Sequence, residues 1–302
     1  MGDHHYKPLH AELFSYDDAF VERFIGEGVR RVHQLTPEQI NELPCIKEVA
    51  EQIYFFQLFT EEFCRLLVEE AEHCGKWVTN KEKTNEPHPF VEGLIDVCEP
   101  DTVIEFDELP GLEEVYGSVI KNHVQPIMEA KWVTFKLQKW DMPAVRKYEP
   151  DVVNSMDLHY DLETLSMVGY LSKDFVGGGT YFPRWKLLVG GHEDVVPGSV
   201  VLYPGGISHE HKALPITAGK RYMLSNSFLL KFNSFFLLNL YKMLCLSRGA
   251  HRIRERPPCG QEHDPSSHPS GRSFHAVAPS GLDLGLVPPA GPGARPDGRH
   301  RQ

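Results

Sequence analysis

The sequence predicts an α+β fold in which helices precede a sheet built from many short strands. Through the first half of the chain, apolar residues recur at the three- and four-residue spacing of amphipathic helices. From about residue 132 the apolar spacing shortens to two, which is the period of a half-buried strand. Turns rich in glycine and proline separate these later segments, as they do in a β-sandwich or a small barrel. No G-x-G-x-x-G motif opens a helix, so a Rossmann fold is not indicated.

Local signals indicate where the predicted helices begin and end. Thr60 is suited to cap a helix that runs to Cys74, and Gly75 is suited to end it. Pro126 is expected to kink or divide a later helix. The helices are predicted over residues 16–32, from about residue 36, over 60–74 and over about 111–129.

The predicted strands come from apolar or alternating segments. An apolar and aromatic run predicts a first strand over Ile53–Phe59. A turn over residues 214–219 is expected to bring the last strands face to face. The remaining strands are predicted over about 132–140, Val145–Tyr148, Thr164–Leu171, Thr180–Phe182, Ser199–Tyr203 and Tyr222–Phe228.

Charge is unevenly distributed along the chain, and its distribution argues against nucleic-acid binding. The formal net charge is −11, and residues 247–302 carry eight Arg against five Asp and Glu, or +3, which leaves −14 on residues 1–246. A nucleic-acid binder needs clustered Lys and Arg to contact phosphates. The acidic body therefore predicts no nucleic-acid partner, although it would tolerate a basic peptide.

The cysteines and the N-terminal residues indicate the cellular compartment of the protein. The six cysteines form no C-x-x-C pair, so a structural zinc site is not indicated, and free thiols in a reducing compartment are the favoured interpretation. The first residues lack the apolar run of a signal peptide. The sequence alone therefore predicts a cytoplasmic protein.

The last part of the sequence changes character twice. Between Phe228 and Leu246, 14 of 19 residues are apolar, but the lysines among them would each cost ~2.5–3.5 kcal/mol near the centre of a bilayer. An amphipathic helix that packs on the domain is therefore favoured over a membrane span. Residues 247–302 hold nine Pro and eight Gly and are predicted to be disordered, because they cannot bury enough apolar surface to offset the entropy of ordering.

His159 and Asp161, separated by one residue, are the candidate metal ligands. Two imidazoles and one carboxylate on one face of a metal leave three positions open, an arrangement that suits non-haem Fe(II). In an extended strand residues i and i+2 point the same way, so both side chains can reach one ion. His209 or His211 would supply the second imidazole. Another H-x-D sequence, His192–Asp194, lies between turns and is predicted to be a solvated loop.

Arg221 follows His211 by ten residues and is the candidate anchor for an anionic cosubstrate. Its guanidinium can hold a carboxylate through two parallel hydrogen bonds. The neighbouring Lys220 is expected to point to the opposite face of the strand. Tyr148, eleven residues before His159, would hydrogen-bond the same carboxylate or else pack in the core with a satisfied hydroxyl.

The motifs follow one another in the order Tyr148, His159-x-Asp161, Gly177-Gly178-Gly179, Pro204-Gly205, His211 and Arg221-Tyr222. This order and spacing resembles that of the 2-oxoglutarate/Fe(II) dioxygenases of the prolyl and lysyl hydroxylase group, in particular the C-terminal catalytic domain of the procollagen lysyl hydroxylases. The stretches 53–77, 145–161 and 177–222 are also similar to that domain, so the resemblance covers roughly residues 50–230.

The resemblance implies a double-stranded β-helix, a jelly-roll of the cupin kind, with supporting N-terminal helices. It also implies that His159, Asp161 and His211 bind iron. His211 is preferred to His209 because the family places its iron histidine ten residues before the basic residue that binds the cosubstrate, here Arg221.

The same resemblance assigns the cosubstrate pocket. Arg221 would bind the side-chain carboxylate of 2-oxoglutarate with help from Tyr148, and Thr164, with Ser166 beside it, is a further candidate for the pocket wall. L-ascorbate would be the usual reductant. The implied cofactors are therefore Fe(II), 2-oxoglutarate and L-ascorbate.

The implied activity is hydroxylation of a protein side chain, with peptidyl lysine as the first expected substrate, as in a procollagen-lysine 5-dioxygenase. A prolyl hydroxylase-type dioxygenase and a non-catalytic β-barrel binding module are the alternatives. The expected partner is a peptide or protein substrate, and the resemblance suggests a homodimer and the endoplasmic reticulum. The expected domains are an N-terminal helical extension (1–50), the dioxygenase domain (51–230), an apolar helix or tail (231–246) and the disordered tail (247–302).

Overall fold

The computed structural model describes residues 6–81, 84–87, 95–98, 100–141 and 143–232. All of them lie within one of the two units into which the chain divides, Met1–Ala250. This unit combines helices with antiparallel sheets, so the predicted α+β class is confirmed.

Helix caps lie where the sequence predicts them. The Thr60 hydroxyl accepts a hydrogen bond from the amide of Phe63, and Gly75 ends that helix in the left-handed region at φ +66°. The helix predicted over about 111–129 is divided near Pro126, as expected. The α-helices are α1 (Asp18–Phe24), α2 (Pro37–Asn41), α3 (Glu61–Cys74), α4 (Leu112–Val119) and α5 (Gln125–Lys131), and a π-helical turn (Ile120–Val124) joins α4 to α5.

The helix predicted over residues 16–32 is shorter than expected, because the chain meets the end of a strand. Helix α1 stops at Phe24, and the amide of Gly26 donates to the carbonyl of Leu58 at 2.8 Å. A Cβ atom on Gly26 would lie only 2.4 Å from the carbonyl oxygen of Gln57. This close crossing requires glycine and prevents the helix from continuing, so short 3₁₀ turns follow instead.

The strands, most of them short, are β1 (Lys47–Ala50), β2 (Ile53–Gln57), β3 (Val78–Asn80), β4 (Thr84–Pro87), β5 (Ile95–Cys98), β6 (Asp101–Glu105), β7 (Phe135–Trp140), β8 (Ala144–Tyr148), β9 (Met156–His159), β10 (Leu165–Tyr170), β11 (Phe175–Gly177), β12 (Thr180–Phe182), β13 (Leu187–Val189), β14 (Ser199–Pro204), β15 (His211–Ala213), β16 (Ile216–Gly219) and β17 (Arg221–Phe232). The predicted turn over residues 214–219 is thus only partly correct, since β16 occupies most of it and pairs with β11.

Antiparallel pairing builds one large and one small sheet from these strands. In the described part of the chain, the large sheet runs in the order β1-β2-β14-β10-β17-β8-β6-β3, with β7 also paired to β17. The small sheet runs in the order β13-β12-β15-β9. Strands β11 and β16 form a separate pair, as do β4 and β5.

The two faces of the large sheet belong to two different hydrophobic cores. One face packs against the helices, where Phe20, Phe24 and Phe63 meet edge to face. The other face packs against the small sheet, so that Val168 and Phe182 share the second core. Because side chains alternate along a strand, every second side chain of β10 and β17 points into the space between the large and the small sheet.

The apolar helix predicted from residue 231 is wrong at its start. Residues up to Phe232 continue β17, because β7 pairs with Phe228–Phe232 beyond the part of β17 that pairs with β8. The rest of that segment and the predicted disordered tail lie outside the described residues. None of the helices in the described residues combines the length and hydrophobicity that a membrane span requires.

Candidate metal centre

Three side chains with metal-ligating atoms converge between the two sheets. Strands β9 and β15 pair so that His159 lies opposite His211, and Asp161 follows two residues after the end of β9. The Nε2 atom of His159 lies 3.7 Å from Asp161 Oδ1, and the Nε2 atom of His211 lies 3.8 Å from Asp161 Oδ2. One ligand atom from each residue falls within 4.8 Å of the other two.

Backbone carbonyls orient both imidazoles toward this centre. The Nδ1 atom of His159 lies 2.7 Å from the carbonyl oxygen of Asp157, and that of His211 lies 3.1 Å from the carbonyl oxygen of His209. A carbonyl only accepts, so each Nδ1 carries the proton and each Nε2 presents a lone pair. Burial lowers the pKa of His211, which favours the neutral imidazole that a metal needs.

The alternative histidines are held elsewhere. The His209 Nε2 atom lies 3.1 Å from the carbonyl oxygen of Glu51, and its Nδ1 atom lies 2.9 Å from the Ser208 hydroxyl. His192 accepts a hydrogen bond from the amide of Gly177 and is exposed, as expected for a solvated loop. Of the two candidates for the second imidazole, the structure therefore brings His211, and not His209, to Asp161.

Arg221 is a buried cation that no described residue hydrogen-bonds. The side chain is 1% exposed, and its Nε, Nη1 and Nη2 atoms have no partner among the described residues. Its guanidinium carbon lies 5.5–6.0 Å from the ring centroids of Tyr148, Tyr170 and Phe175. Burial lowers the pKa of Arg221, and an uncompensated charge of this kind is costly unless an anion binds it.

The triple glycine after β11 packs directly against this arginine. A Cβ atom on Gly178, which has φ +70°, would meet Phe175 and Ile216 at 3.0 Å and the Cδ atom of Arg221 at 3.2 Å. The motif therefore does more than form a turn, because its bare backbone leaves room for the buried guanidinium.

Tyr148 lies opposite Arg221 on the neighbouring strand, as the sequence predicts for a shared site. It is 1% exposed, burial raises its pKa, and its hydroxyl has no partner in the described part of the chain. Lys220 points the other way, as expected, and forms an exposed ion pair with Glu149 at 3.0 Å.

One cavity connects the candidate ligands with a polar wall. It is lined by Asp141, Arg146, Tyr148, Met156, His159, Asp161, Ser166, Met167, Val168, Thr180, Tyr203, His211, Ala213, Met223, Ser225, Asn226 and Ser227. Arg221 is not part of this lining, but two lining residues are its neighbours in the large sheet. Tyr148 lies opposite Arg221 on β8, and Met223 follows it by two residues on β17.

The structure does not bring Thr164 into this lining. Its hydroxyl accepts a hydrogen bond from the amide of Leu230 at 3.2 Å, and its carbonyl accepts one from Gly205, so it joins neighbouring segments instead. Ser166 does line the cavity, and its buried hydroxyl has no partner among the described residues.

Sequence reasoning missed most of the polar residues of the cavity, among them Tyr203 and Arg146. The Tyr203 hydroxyl lies 3.0 Å from the Nε2 atom of His211. Arg146 donates from Nε to Ser225 at 2.9 Å and from Nη1 to Asp101. The strand period could have found Arg146, which precedes Tyr148 by two residues, but nothing local distinguished Tyr203 from a core tyrosine.

Comparison with known proteins finds one family model and several sequence relatives. The family model described as an OGFOD2-like domain matches residues 3–91. Procollagen-lysine,2-oxoglutarate 5-dioxygenase 1 of Mus musculus is 27% identical over 216 residues, which are 70% of this chain and 27% of the mouse protein. The multifunctional procollagen lysine hydroxylase and glycosyltransferase LH3 of Rattus norvegicus is 30% identical over 223 residues, which are 72% of this chain and 28% of the rat protein.

The viral collagen prolyl hydroxylase of Paramecium Bursaria Chlorella virus-1 has a solved structure that matches with a TM-score of 0.41 and 16% sequence identity, over 60% of this chain and 91% of the viral chain. The chain spans 27–28% of the length of the curated relatives named above. The sequence comparisons confirm that this chain resembles the 2-oxoglutarate/Fe(II) dioxygenases of the prolyl and lysyl hydroxylase group, as its motifs predict.

Proposed function

We propose that this chain is an Fe(II)- and 2-oxoglutarate-dependent dioxygenase that hydroxylates a side chain of a protein, with peptidyl lysine as the substrate. One observation carries the proposal. Two imidazoles and a carboxylate converge within 4.8 Å in the same cavity whose wall leads to a buried, unpartnered guanidinium. A metal and a diacid together would satisfy both features.

The donor set fits Fe(II). His159 and His211 would each bind the ion through Nε2, and Asp161 through a carboxylate oxygen. Three protein ligands leave open positions on a six-coordinate ion, which suits iron that must also bind a cosubstrate and O₂. The backbone carbonyls behind both imidazoles keep their lone pairs aimed at the centre.

The buried guanidinium fits the far carboxylate of 2-oxoglutarate. Arg221 would donate two parallel hydrogen bonds, and the hydroxyl of Tyr148 would donate a third. Binding would neutralise a cation that lies buried with no partner in the described part of the chain. The bound iron and cosubstrate would supply the activation of O₂ for attack on a C–H bond, while the protein orients them and excludes water.

We infer further that the large and small sheets form the double-stranded β-helix that the resemblance implies. Support comes from their shared core, in which Val168 and Met223 of the large sheet pack with Phe182 and Ala213 of the small sheet. Antiparallel strands on both sides would hold the ligands on a rigid scaffold.

Peptidyl lysine is favoured as the substrate because the similar proteins from mouse and rat are named for lysine. Leu158 and Tyr160 are 50% and 46% exposed beside the candidate ligands and offer an apolar contact for a peptide. A homodimer and the compartment stay predictions.

An anaerobic titration tests the proposal. Wild-type protein loaded with Fe(II) should develop a visible charge-transfer band when 2-oxoglutarate chelates the iron. Asp161→Ala should lose the band, whereas Asp194→Ala, in the exposed second H-x-D sequence, should keep it. Absence of the band from folded, iron-loaded wild-type protein would contradict the proposal.

Substrate class is tested by succinate release with peptide arrays. The proposal expects turnover with lysyl peptides, and turnover with prolyl peptides alone would favour the prolyl alternative. A non-catalytic binding module would bind metal at most and release no succinate with any peptide.

A further inference from the structure

We propose that Glu72, on α3, is a positioning residue for the cosubstrate pocket. Its carboxylate joins β8 to β17 on the face of the large sheet that is turned away from the cavity, and it keeps Tyr148 and Arg221 aligned on the opposite face. This inference rests on the proposed function, in which those two residues hold the far carboxylate of 2-oxoglutarate. Glu72 does not line the cavity, so it would act through Tyr148 and Arg221.

Tyr148 and Arg221 lie at the ends of two strands. Tyr148 is the last residue of β8, Arg221 is the first residue of β17, and the two residues pair. On its other side β8 pairs with β6 only as far as Arg146, so among the described residues β17 is the one strand beside Tyr148. Strand ends open more easily than strand centres, so the alignment of this pair needs support beyond the backbone hydrogen bonds.

Glu72 links the neighbouring pair of residues on the same two strands. Its Oε1 atom accepts a hydrogen bond from the Tyr222 hydroxyl at 2.7 Å and another from Lys147 Nζ at 3.1 Å. Lys147 and Tyr222 lie directly opposite each other, one residue along from Tyr148 and Arg221. One carboxylate oxygen therefore bridges β8 and β17 next to the pair that faces the cavity.

This bridge and the pocket lie on opposite faces of the same backbone. Side chains alternate along a strand, so Tyr222 packs in the core beside the helices, whereas Tyr148 packs in the core beside the small sheet. A shift of β8 against β17 would break the hydrogen bonds of Glu72 and would also move Tyr148 away from Arg221. The bridge therefore opposes the movement that would separate the two cosubstrate-binding side chains.

The surroundings of Lys147 and Glu72 favour a fixed, charged bridge. The Lys147 side chain is 9% exposed, and its Nζ atom lies 4.1 Å from the ring centroid of Trp77. Burial would raise the pKa of Glu72, but hydrogen bonds from Tyr222 and Lys147 outweigh burial and lower it, so the carboxylate is ionised at neutral pH. Lys147 also lies 3.9 Å from Glu149, so its shorter contact is with Glu72.

Glu72→Ala in the whole chain tests the proposal. Loaded with Fe(II) under argon, this variant should bind 2-oxoglutarate roughly 10-fold more weakly than wild type, because the hydrogen bonds from Tyr148 and Arg221 lose their alignment. The charge-transfer band measures this affinity. The affinity for Fe(II) should not change, since the candidate ligands belong to the small sheet and the loop after β9. Glu72→Gln keeps an acceptor for both strands and should restore 2-oxoglutarate binding.

A control variant and a second measurement separate positioning from stability. Glu61→Ala removes an exposed ion pair of the same helix, with Lys173, and should leave both affinities unchanged. Hydrogen exchange of the metal-free protein should show faster exchange in Glu72→Ala at the paired ends of β8 and β17, and wild-type rates between β10 and β14.

Three results would overturn the proposal: wild-type affinity for 2-oxoglutarate in Glu72→Ala, an equal loss of Fe(II) and 2-oxoglutarate affinity, or no recovery in Glu72→Gln. If Glu72→Ala does not fold, Tyr222→Phe, which removes only the donating hydroxyl, takes its place with the same expectations. A missing band in wild-type protein would reject the proposed function instead. Hydrogen exchange then still decides, because unchanged rates at the ends of β8 and β17 would reject the role of Glu72.

Discussion

Arg221 and Tyr148 face each other across β17 and β8, and the polar atoms of both side chains lack a hydrogen-bond partner among the described residues. Buried polar groups without a hydrogen-bond partner are rare in folded proteins. Two such groups in contact therefore indicate a ligand-binding site. A carboxylate would supply acceptors for both residues, which makes this pair the part of the site most sensitive to substitution.

Arg221→Gln should weaken 2-oxoglutarate binding by roughly 100-fold, because charged hydrogen bonds contribute about 1.5–3 kcal/mol each. Without the cosubstrate, the same variant should melt at a higher temperature than wild type, since it removes a buried cation that no group compensates. Titration of the iron-loaded protein and thermal melting measure the two effects. Lys220→Gln, beside it but exposed, should leave binding unchanged, and equal weakening by both variants would contradict the assignment.

Gly205→Ala should disturb the loop that carries Asp161. A Cβ atom at this position would lie 2.0 Å from the carbonyl oxygen of Glu163 and 2.9 Å from that of Asp161, so the backbone must move. Metal affinity should fall at least roughly 10-fold, as when groups that orient a ligand are lost. Isothermal titration with Fe(II) or Co(II) measures it. Gly169→Ala is the control, because its nearest contact would be an ordinary 3.4 Å, and a normal affinity for Gly205→Ala would refute the prediction.

Glu70→Ala should destabilise the fold by about 2–4 kcal/mol, because the buried Glu70 carboxylate accepts from Tyr6 and from the amides of Leu9 and His10, and these donors would be stranded. Urea unfolding measures the change, and proteolysis should cut earlier in the N-terminal segment. Glu69→Ala should change stability by less than about 1 kcal/mol, since its side chain is 41% exposed where it pairs with Arg65 and His10. Equal effects of both variants would argue against the buried anchor.

The burial of His123 should make the fold less stable in acid. It is fully buried between Tyr16 and the carbonyl of Val29, and burial lowers its pKa. His123 therefore binds a proton more readily in the unfolded chain than in the folded one. The free energy of unfolding should fall as the pH drops below about 6.5, the ordinary pKa of histidine. Melting temperatures between pH 8 and 5 test this. His123→Gln should show a shallower pH dependence, and an identical slope would reject the explanation.

Local signals predict those elements whose ends are decided by their own residues. Thr60 and Gly75 bound α3 because a hydroxyl cap and a left-handed glycine act within one turn. The prediction of one long helix from residue 16 was wrong beyond Gly26, because a carbonyl oxygen of the distant strand β2 lies too close there for the helix to continue. No periodicity in the sequence could reveal that contact.

The candidate site was predictable where chemistry and spacing coincide. His159 and Asp161 were singled out by their H-x-D spacing together with the order of the motifs that follow, and the structure brings both side chains together beside His211. Thr164 failed because it sits just before β10, where it bonds Leu230 instead of facing the cavity. The sequence did not identify Tyr203 as a cavity residue, because its position beside His211 depends on how distant strands pair.

Strand β17 gives alternate side chains to two separate cores, with Leu224 on the helix side and Met223 on the cavity side. A ligand that tightens the cavity must therefore restrain the same backbone on which the helices rest. Amides of α3 and α5 that exchange only through openings of β17 should therefore exchange more slowly when such a ligand is bound, although the ligand does not touch them.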